Sequence, residues 1–249
     1  MPETIHDVIK YYRDKDSTYD WSEIAKYRDY AKGKQMVTLT EKQMKILKNL
    51  LTHDFSDNVC KQIIAEAADR LKILSVNSTD KQVNDYLQAL YLLLKIPDRQ
   101  GDVHYGALRD GNYVVAVNWN NLRNKIAIHR EKWWDGTSGV WIKYDDEDEV
   151  EYGVKDWVEI DGKTFRRLIW FPDRIERYTG DGQSWEPYKL ETDTAWPVPW
   201  TDMAGLPMGV AYTHFANANN IHENYGDSEL AGGVLGFQDQ LTDAQYAIS

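Results

Sequence analysis

The hydrophobic periodicity of this 249-residue chain changes once, and that change limits the folds available to it. Before about residue 100, apolar side chains recur every three or four residues, which is typical of amphipathic helices. From about residue 112 they alternate, as in strands, and nine of the ten tryptophans lie at or after Trp119. We therefore predict an α+β fold. It has a helical region over 1–111, an antiparallel, aromatic-rich strand region over 112–215, and a loop leading into a C-terminal helix over 216–249.

The first region contains five predicted helices, each with one apolar face that requires a partner surface. Asp20 and Glu23 form a capping box before the second helix, and Pro97 is predicted to end the fifth. The apolar positions that define the faces are, in chain order, Ile5, Val8, Ile9 and Tyr12; Trp21, Ile24, Tyr27 and Ala31; Met44, Leu47, Leu50 and Leu51; Val59, Ile63, Ala67 and Leu71; and Val83, Tyr86, Leu87, Leu90, Tyr91 and Leu94.

The second region is predicted to be a series of strands joined by short turns. Asp161-Gly162 is a strong hairpin signal, and Asp181-Gly182 supplies a second turn. The segment 195–200 contains two prolines, which cannot donate to a strand ladder, so it is predicted to be an extended connector rather than a central strand. The predicted strands cover 113–119, 125–129, 141–144, 157–160, 164–170 and 174–178.

The end of the chain has the pattern of a helix with a narrow apolar seam. Asp227 or Ser228 can cap this helix, and alternating steps of four and three residues place the seam on one side. Three glycines near its start lower helix propensity by up to about 1 kcal/mol each. If the seam is buried, Leu241→Ala should cost roughly 2 to 5 kcal/mol. The seam consists of Leu230, Val234, Phe237 and Leu241.

Composition excludes several classes of protein. The net charge is −11, so the chain as a whole should repel polyanions and does not resemble proteins that grip nucleic acid through its phosphates. A single cysteine, Cys60, rules out a disulfide framework within one chain and favours a reducing compartment. The sequence shows neither a signal peptide nor an apolar run long enough to cross a bilayer. We expect synthesis in the cytoplasm and no membrane partner.

Two clusters invite a binding interpretation, each with a simpler alternative. The acidic run Asp145 to Glu149 could hold calcium, but it lacks the glycine and ligand spacing of an EF-hand, and a solvated hairpin loop is favoured. Tryptophans of the strand region could form a platform for a sugar, but cross-strand packing is the more common role of such aromatics. These tryptophans are Trp133, Trp134, Trp141, Trp157, Trp170 and Trp185.

No catalytic motif is recognisable in the chain. The histidines have no zinc-binding spacing, and the phosphate-binding glycine loop and the nucleophile elbow are both absent from the sequence. We therefore predict that the chain is not an enzyme, has no cofactor or metal, and neither hydrolyses ATP nor cuts DNA.

Four segments in succession resemble the portal proteins of tailed bacteriophages, especially those of long-tailed phages of Gram-positive hosts. Residues 27–34 are similar to the family's early helix ending in Tyr-x-Gly-x, and residues 49–71 resemble the helix pair that precedes its wing. Residues 107–115 resemble its helix, glycine, strand step. Residues 210–230 resemble its strand and loop with Gly-Asp-Ser-Glu-Leu, which is followed by a helix with Gln-Asp-x-Leu. The residues that carry the resemblance are Tyr30, Gly33, Asn58, Gly111, Gly226, Asp227, Ser228, Glu229, Leu230, Gln238, Asp239 and Leu241.

The resemblance implies a structural subunit of the virion. Portal subunits form a ring, usually a dodecamer, at one capsid vertex, through which DNA enters during packaging and leaves during ejection without sequence-specific binding. Implied partners are capsid, scaffolding, terminase and connector proteins, with assembly in the host cytoplasm. Family members continue into stem, clip, tunnel loop and crown, so this chain corresponds to the wing half, and we expect it to form no closed ring alone. The alternative is an acidic, tryptophan-rich carbohydrate-binding or glycoside-cleaving domain.

Overall fold

The computed structural model describes residues 4–15, 21–31, 78–120 and 123–217, together with Asp227, Ser228 and Leu230. This part of the chain is an α+β structure with antiparallel sheets, as predicted. The helices predicted between residues 40 and 71, and the closing helix with its seam beyond Leu230, lie outside the described residues. None of the described helices has the length and hydropathy that a membrane-spanning helix requires.

Four helices occur in the described residues: α1 (Ile5–Lys15), α2 (Trp21–Ala31), α3 (Lys81–Leu93) and α4 (Ile96–Asp110). The Asp80 carboxylate caps α3 by accepting hydrogen bonds from the backbone N–H groups of Gln82 and Val83. The role predicted for Pro97 is wrong, because α3 ends at Leu93 and Pro97 lies in the first turn of α4. Proline is favoured there because its missing N–H would have no partner within the helix.

In the described part of the chain, nine strands form two antiparallel sheets. The smaller sheet has the order β2-β1-β9. The larger has the order β3-β4-β5-β6-β7, with β8 also pairing with β6. The strands are β1 (Asn112–Asn120), β2 (Lys125–Glu131), β3 (Gly139–Tyr144), β4 (Val150–Val158), β5 (Phe165–Trp170), β6 (Arg174–Gly180), β7 (Trp185–Pro187), β8 (Val198–Pro199) and β9 (Tyr212–Ala216).

The turns of the larger sheet follow the sequence signals. Gly162 and Gly182 have φ angles of 68° and 92° in the β4–β5 and β6–β7 turns, a conformation that glycine adopts without a steric penalty. The predicted hairpins at these positions are confirmed. Two details differ from prediction: β4 begins at Val150 rather than at residue 157, and the proline-rich connector contributes β8, a two-residue strand beside Arg174 and Ile175.

The chain divides into two compact units, residues 1–22 with 114–214 (the strand unit) and residues 23–113 with 215–249 (the helical unit). The divisions after residues 113 and 214 fall close to the predicted region boundaries at 111 and 215. Helix α1, however, groups with the strands, and the segment after β9 groups with the helices.

The core of the strand unit lies on the two faces of the larger sheet. On one face, Trp141, Val154 and Ile169 are neighbours in the strand register and are at most 1% exposed. On the other, Gly153 provides room for Tyr212 of β9, since a Cβ at Gly153 would lie 2.3 Å from that ring. Helix α1 covers the first face, and the smaller sheet approaches the second.

Candidate functional site

A cleft of about 770 Å³ opens in the strand unit between α1 and the larger sheet. This volume falls in the range that small-molecule sites occupy. Its lining comes from α1, from the loop between β2 and β3, from the two central strands and from the β6–β7 turn. The lining residues used below are His6, Lys10, Arg13, Trp134, Asp156, Arg167 and Trp185.

Strand register brings the polar residues of the cleft together. Asp156 of β4 is directly opposite Arg167 of β5, and Arg167 is opposite Tyr178 of β6. Directly opposite residues on one face of an antiparallel pair have Cβ atoms about 4.5 to 5.5 Å apart, so their side chains must interact. Helix α1 then adds Arg13 from above this row.

The resulting Arg13–Asp156–Arg167 triad is a buried ion-pair cluster. Arg13 donates to Asp156 Oδ2 at 2.7 Å, and Arg167 donates to Oδ1 at 2.9 Å and to Oδ2 at 2.7 Å. The three residues are 7%, 4% and 7% exposed, respectively. Such short, charge-assisted bonds offset the cost of desolvating the charges, which neither partner could bear alone.

The protonation states follow from the contacts. Burial alone would raise the pKa of Asp156, but the hydrogen bonds from Arg167 and the charge of Arg13 hold it below its usual value. Burial and the Arg167 charge lower the pKa of His6 from 6.5 to about 4. Arg167 donates to His6 Nδ1 at 3.3 Å, and a guanidinium can only donate, so the His6 ring is neutral with its proton on Nε2.

Aromatic rings form the walls of the cleft, and cations cover them. The Arg13 guanidinium lies 3.9 Å from the centroid of the Trp134 ring, and that of Arg167 lies 4.1 Å from the Trp185 ring. His6 also stacks on Trp185, with centroids 5.7 Å apart. Cation–π contacts of this kind hold the guanidinium planes in place. They also occupy ring surface that a sugar platform would need.

A second cluster, in the helical unit, joins three of the segments that resemble portal proteins; we call it the motif junction. Its centre is Asp110, which is 2% exposed at the end of α4. Its carboxylate accepts from Arg28 Nε at 2.9 Å and from Arg109 Nε at 2.6 Å. Arg28 belongs to the 27–34 segment and Asp110 to the 107–115 segment, so this ion pair connects the first to the third.

The segment around Ser228 completes the motif junction. The Ser228 hydroxyl donates to the Arg109 carbonyl and accepts from the Leu230 N–H at 3.0 Å, and Leu230 is fully buried. Asn217 connects the two ends of the intervening loop: its N–H donates to the Gly111 carbonyl at 2.8 Å, and its side-chain amide donates to the Asp227 carbonyl at 2.8 Å. Gly111 ends α4 with a φ of 79°, which favours glycine.

The structure thus places five of the residues singled out from the sequence. Gly111, Asp227, Ser228 and Leu230 come together at the motif junction, and Tyr30 is buried near the end of α2, 8% exposed. The others lie outside the described residues: Gly33, Asn58, Gly226, Glu229, Gln238, Asp239 and Leu241.

Sequence reasoning missed the cleft. Its polar residues are far apart in the chain, with Arg13 and Asp156 separated by 143 positions. One signal was present in the sequence. Asp156 and Arg167 each lie two positions from an apolar residue, Val154 and Ile169 respectively, and residues two apart in a strand share a face, so the pattern puts charges on a buried face.

The acidic run forms the β3–β4 turn, as the hairpin-loop interpretation predicted. Asp145 Oδ1 accepts from the N–H groups of Glu147 and Glu149, both at 2.9 Å, and the carboxylates are exposed. Within the described ranges, no group of three His, Cys, Asp or Glu side chains is placed to hold a metal ion.

Comparison with known protein families finds no match for this chain, and comparison with curated proteins finds none either. The resemblance to portal proteins therefore rests on the succession of motifs in the sequence.

Proposed function

We propose that the chain is the wing half of a bacteriophage portal subunit, a structural protein of the virion that contributes to the ring through which DNA is packaged and ejected. The observation that carries the proposal is the motif junction. Three segments that resemble portal proteins, up to about 200 residues apart in the sequence, meet in one buried hydrogen-bonded cluster. Because these segments contact one another, each is needed for the same local structure. Their occurrence together is what a fold shared with portal proteins would require.

Exposed apolar side chains give further support, because ring subunits need complementary faces. Met203 and Leu206 are 107% and 62% exposed at the tip of a loop that the Asp202 carboxylate holds through bonds to Ala204 and Leu206 N–H, each 2.8 Å. A loop that is held by its own hydrogen bonds and presents apolar side chains to water is typical of a surface that a partner covers. In a ring, that partner is the adjacent subunit.

The carbohydrate-binding alternative has less support. Trp133 and Trp141 are 1% exposed and Trp170 is 5% exposed, so these rings are core residues. The Trp134 and Trp185 rings, which line the cleft, carry guanidinium groups. A sugar site on these five tryptophans would require the arginines to leave.

Negative-stain microscopy of the full-length gene product tests the proposal. Closed rings with a central channel are expected, whereas monomers that bind glycans would overturn it. Asp110→Asn, which breaks the motif junction, should reduce the yield of rings. The matched control is Asp85→Asn, an exposed carboxylate on α3, which should leave ring yield unchanged. Equal ring yields for the two variants would show that the junction is not needed for assembly.

A further inference from the structure

The cleft of the strand unit has hydrogen-bonding capacity that its own residues do not use. Arg167 has five N–H groups. Two of them bond to Asp156 and one to His6. One N–H on each terminal nitrogen of Arg167 therefore remains without an acceptor among the described residues. Arg167 is 7% exposed and lines the cleft, so these donors can be satisfied only by something that enters it.

The charge distribution narrows the class of ligand. The triad brings two guanidiniums and one carboxylate to the floor of the cleft. At the rim, Asp7 and Asp14 outnumber Lys10. A ligand with several negative charges, such as a nucleoside triphosphate, would be repelled at the rim, whereas a singly charged group can pass it and be paired below.

The walls specify the rest of the ligand. The guanidiniums lie on the rings of Trp134 and Trp185, but Phe165 also lines the cleft, so an apolar or aromatic group next to the anion would find contact surface there. The Arg167 plane is already fixed by Trp185 and Asp156, so little side-chain freedom is lost when it binds.

We propose that this cleft is a binding site for a small organic monocarboxylate, held by the two remaining N–H groups of Arg167. A carboxylate matches these donors in charge, and its two oxygens can accept from both terminal nitrogens of one guanidinium. The site is independent of the ring-forming role, because it lies on the face of the larger sheet that α1 covers and does not involve the motif junction.

The experiment is a titration of the purified chain with phenylacetate, followed by the indole N–H signals of Trp134 and Trp185 in NMR spectra. The neutral isostere phenylacetamide lacks the charge and carries an NH₂ donor in place of one acceptor oxygen, so it should bind at least about tenfold more weakly. Inorganic phosphate at the same ionic strength should also bind more weakly. Absence of saturable shifts with phenylacetate, or tighter binding of phosphate, would overturn the proposal.

Two pairs of variants locate the site. Arg167→Lys keeps the charge but loses the paired donors, and it should weaken phenylacetate binding about tenfold. Arg166→Lys, on the opposite face of β5, is its control and should bind as the parent does.

Lys10→Glu and Lys125→Glu change net charge equally, but only Lys10 lines the cleft. Lys10→Glu should bind severalfold more weakly, and less so at high salt. Lys10 and Lys125 are both exposed, so these two variants test the site even if Arg167→Lys fails to fold. Equal affinities of Lys10→Glu and Lys125→Glu for phenylacetate would refute the site.

Discussion

Removing the charge of Asp156 tests whether the triad holds α1 on the sheet. Asp156→Asn nearly preserves shape, but it replaces a carboxylate that accepts three hydrogen bonds, of 2.7, 2.9 and 2.7 Å, from two guanidiniums. Arg13 and Arg167, each 7% exposed, would then remain charged and buried after losing the carboxylate that they share. Breaking a buried ion pair from one side costs about 3 to 5 kcal/mol, which is a large share of the stability of a typical domain.

Urea unfolding at neutral pH, followed by tryptophan fluorescence, measures this loss. The control is Glu159→Gln, which removes the negative charge from the ion pair with Arg166 of β5 (3.1 Å). Glu159 directly follows β4, and the Arg166 and Glu159 side chains are 26% and 40% exposed. Partly exposed pairs of this kind contribute about 0 to 1 kcal/mol. If Asp156→Asn costs no more than Glu159→Gln, the triad does not stabilise the strand unit. Replacing all three triad residues by apolar ones should recover most of the loss, because no charge is then left without a partner.

Three further predictions concern other positions. Gly106→Ala should destabilise the helical unit by about 1 to 3 kcal/mol despite the better helix propensity of alanine, because the new Cβ would lie 2.2 Å from the Tyr113 ring. In thermal unfolding, adding Tyr113→Ala to this variant should remove the cost of that clash. Burial lowers the pKa of His214 from 6.5 to about 4. On acidification the unfolded chain therefore binds this proton before the folded chain does, and the free energy of unfolding should fall as the pH drops from 6.5 to about 4. His214→Gln should remove up to about 3 kcal/mol of that dependence in unfolding titrations at pH 7 and 4. Ser228→Ala should cost about 1 to 3 kcal/mol because the part-buried Arg109 carbonyl loses its donor and the buried Leu230 N–H loses its acceptor. Ser184→Ala in an exposed turn should change stability by less than about half a kcal/mol.

Features that depend on neighbouring residues could be predicted from the sequence. The cap of α3 needs only Asp80 and the next three residues, and the β4–β5 hairpin needs only Asp161-Gly162 between apolar strands. Pro97 shows where local information fails. Proline both stops and starts helices, and the deciding feature is Lys95, whose φ of 53° redirects the chain between α3 and α4.

The cleft could not be predicted because it depends on two choices that the local pattern leaves open. One is the register of β4 and β5, where a shift of one residue would place Arg166 rather than Arg167 opposite Asp156. The other is the docking of α1 on the sheet, which no local sequence pattern specifies. This docking brings Arg13 to Asp156, which lies 143 positions away in the chain. The motif junction was indicated only through resemblance, and its contact between Arg28 and Asp110 also spans 82 positions.

Among the described residues, an aspartate is shared by two arginines in each unit, but only the cluster in the strand unit borders a cleft. Asp110 pairs with Arg28 and Arg109, and the Ser228 hydroxyl and the Asn217 N–H donate to the Arg109 and Gly111 carbonyls at the same helix end. Asp156 pairs with Arg13 and Arg167, but there the guanidinium of Arg167 borders a cleft of about 770 Å³ and keeps donors directed to no described acceptor. Since a buried ion pair contributes little net stability compared with apolar packing, its retention in a core is better explained by a specific geometry that it maintains. At Asp110 that geometry joins three segments of backbone, and at Asp156 it holds a planar, charged donor pair in place beside an open volume.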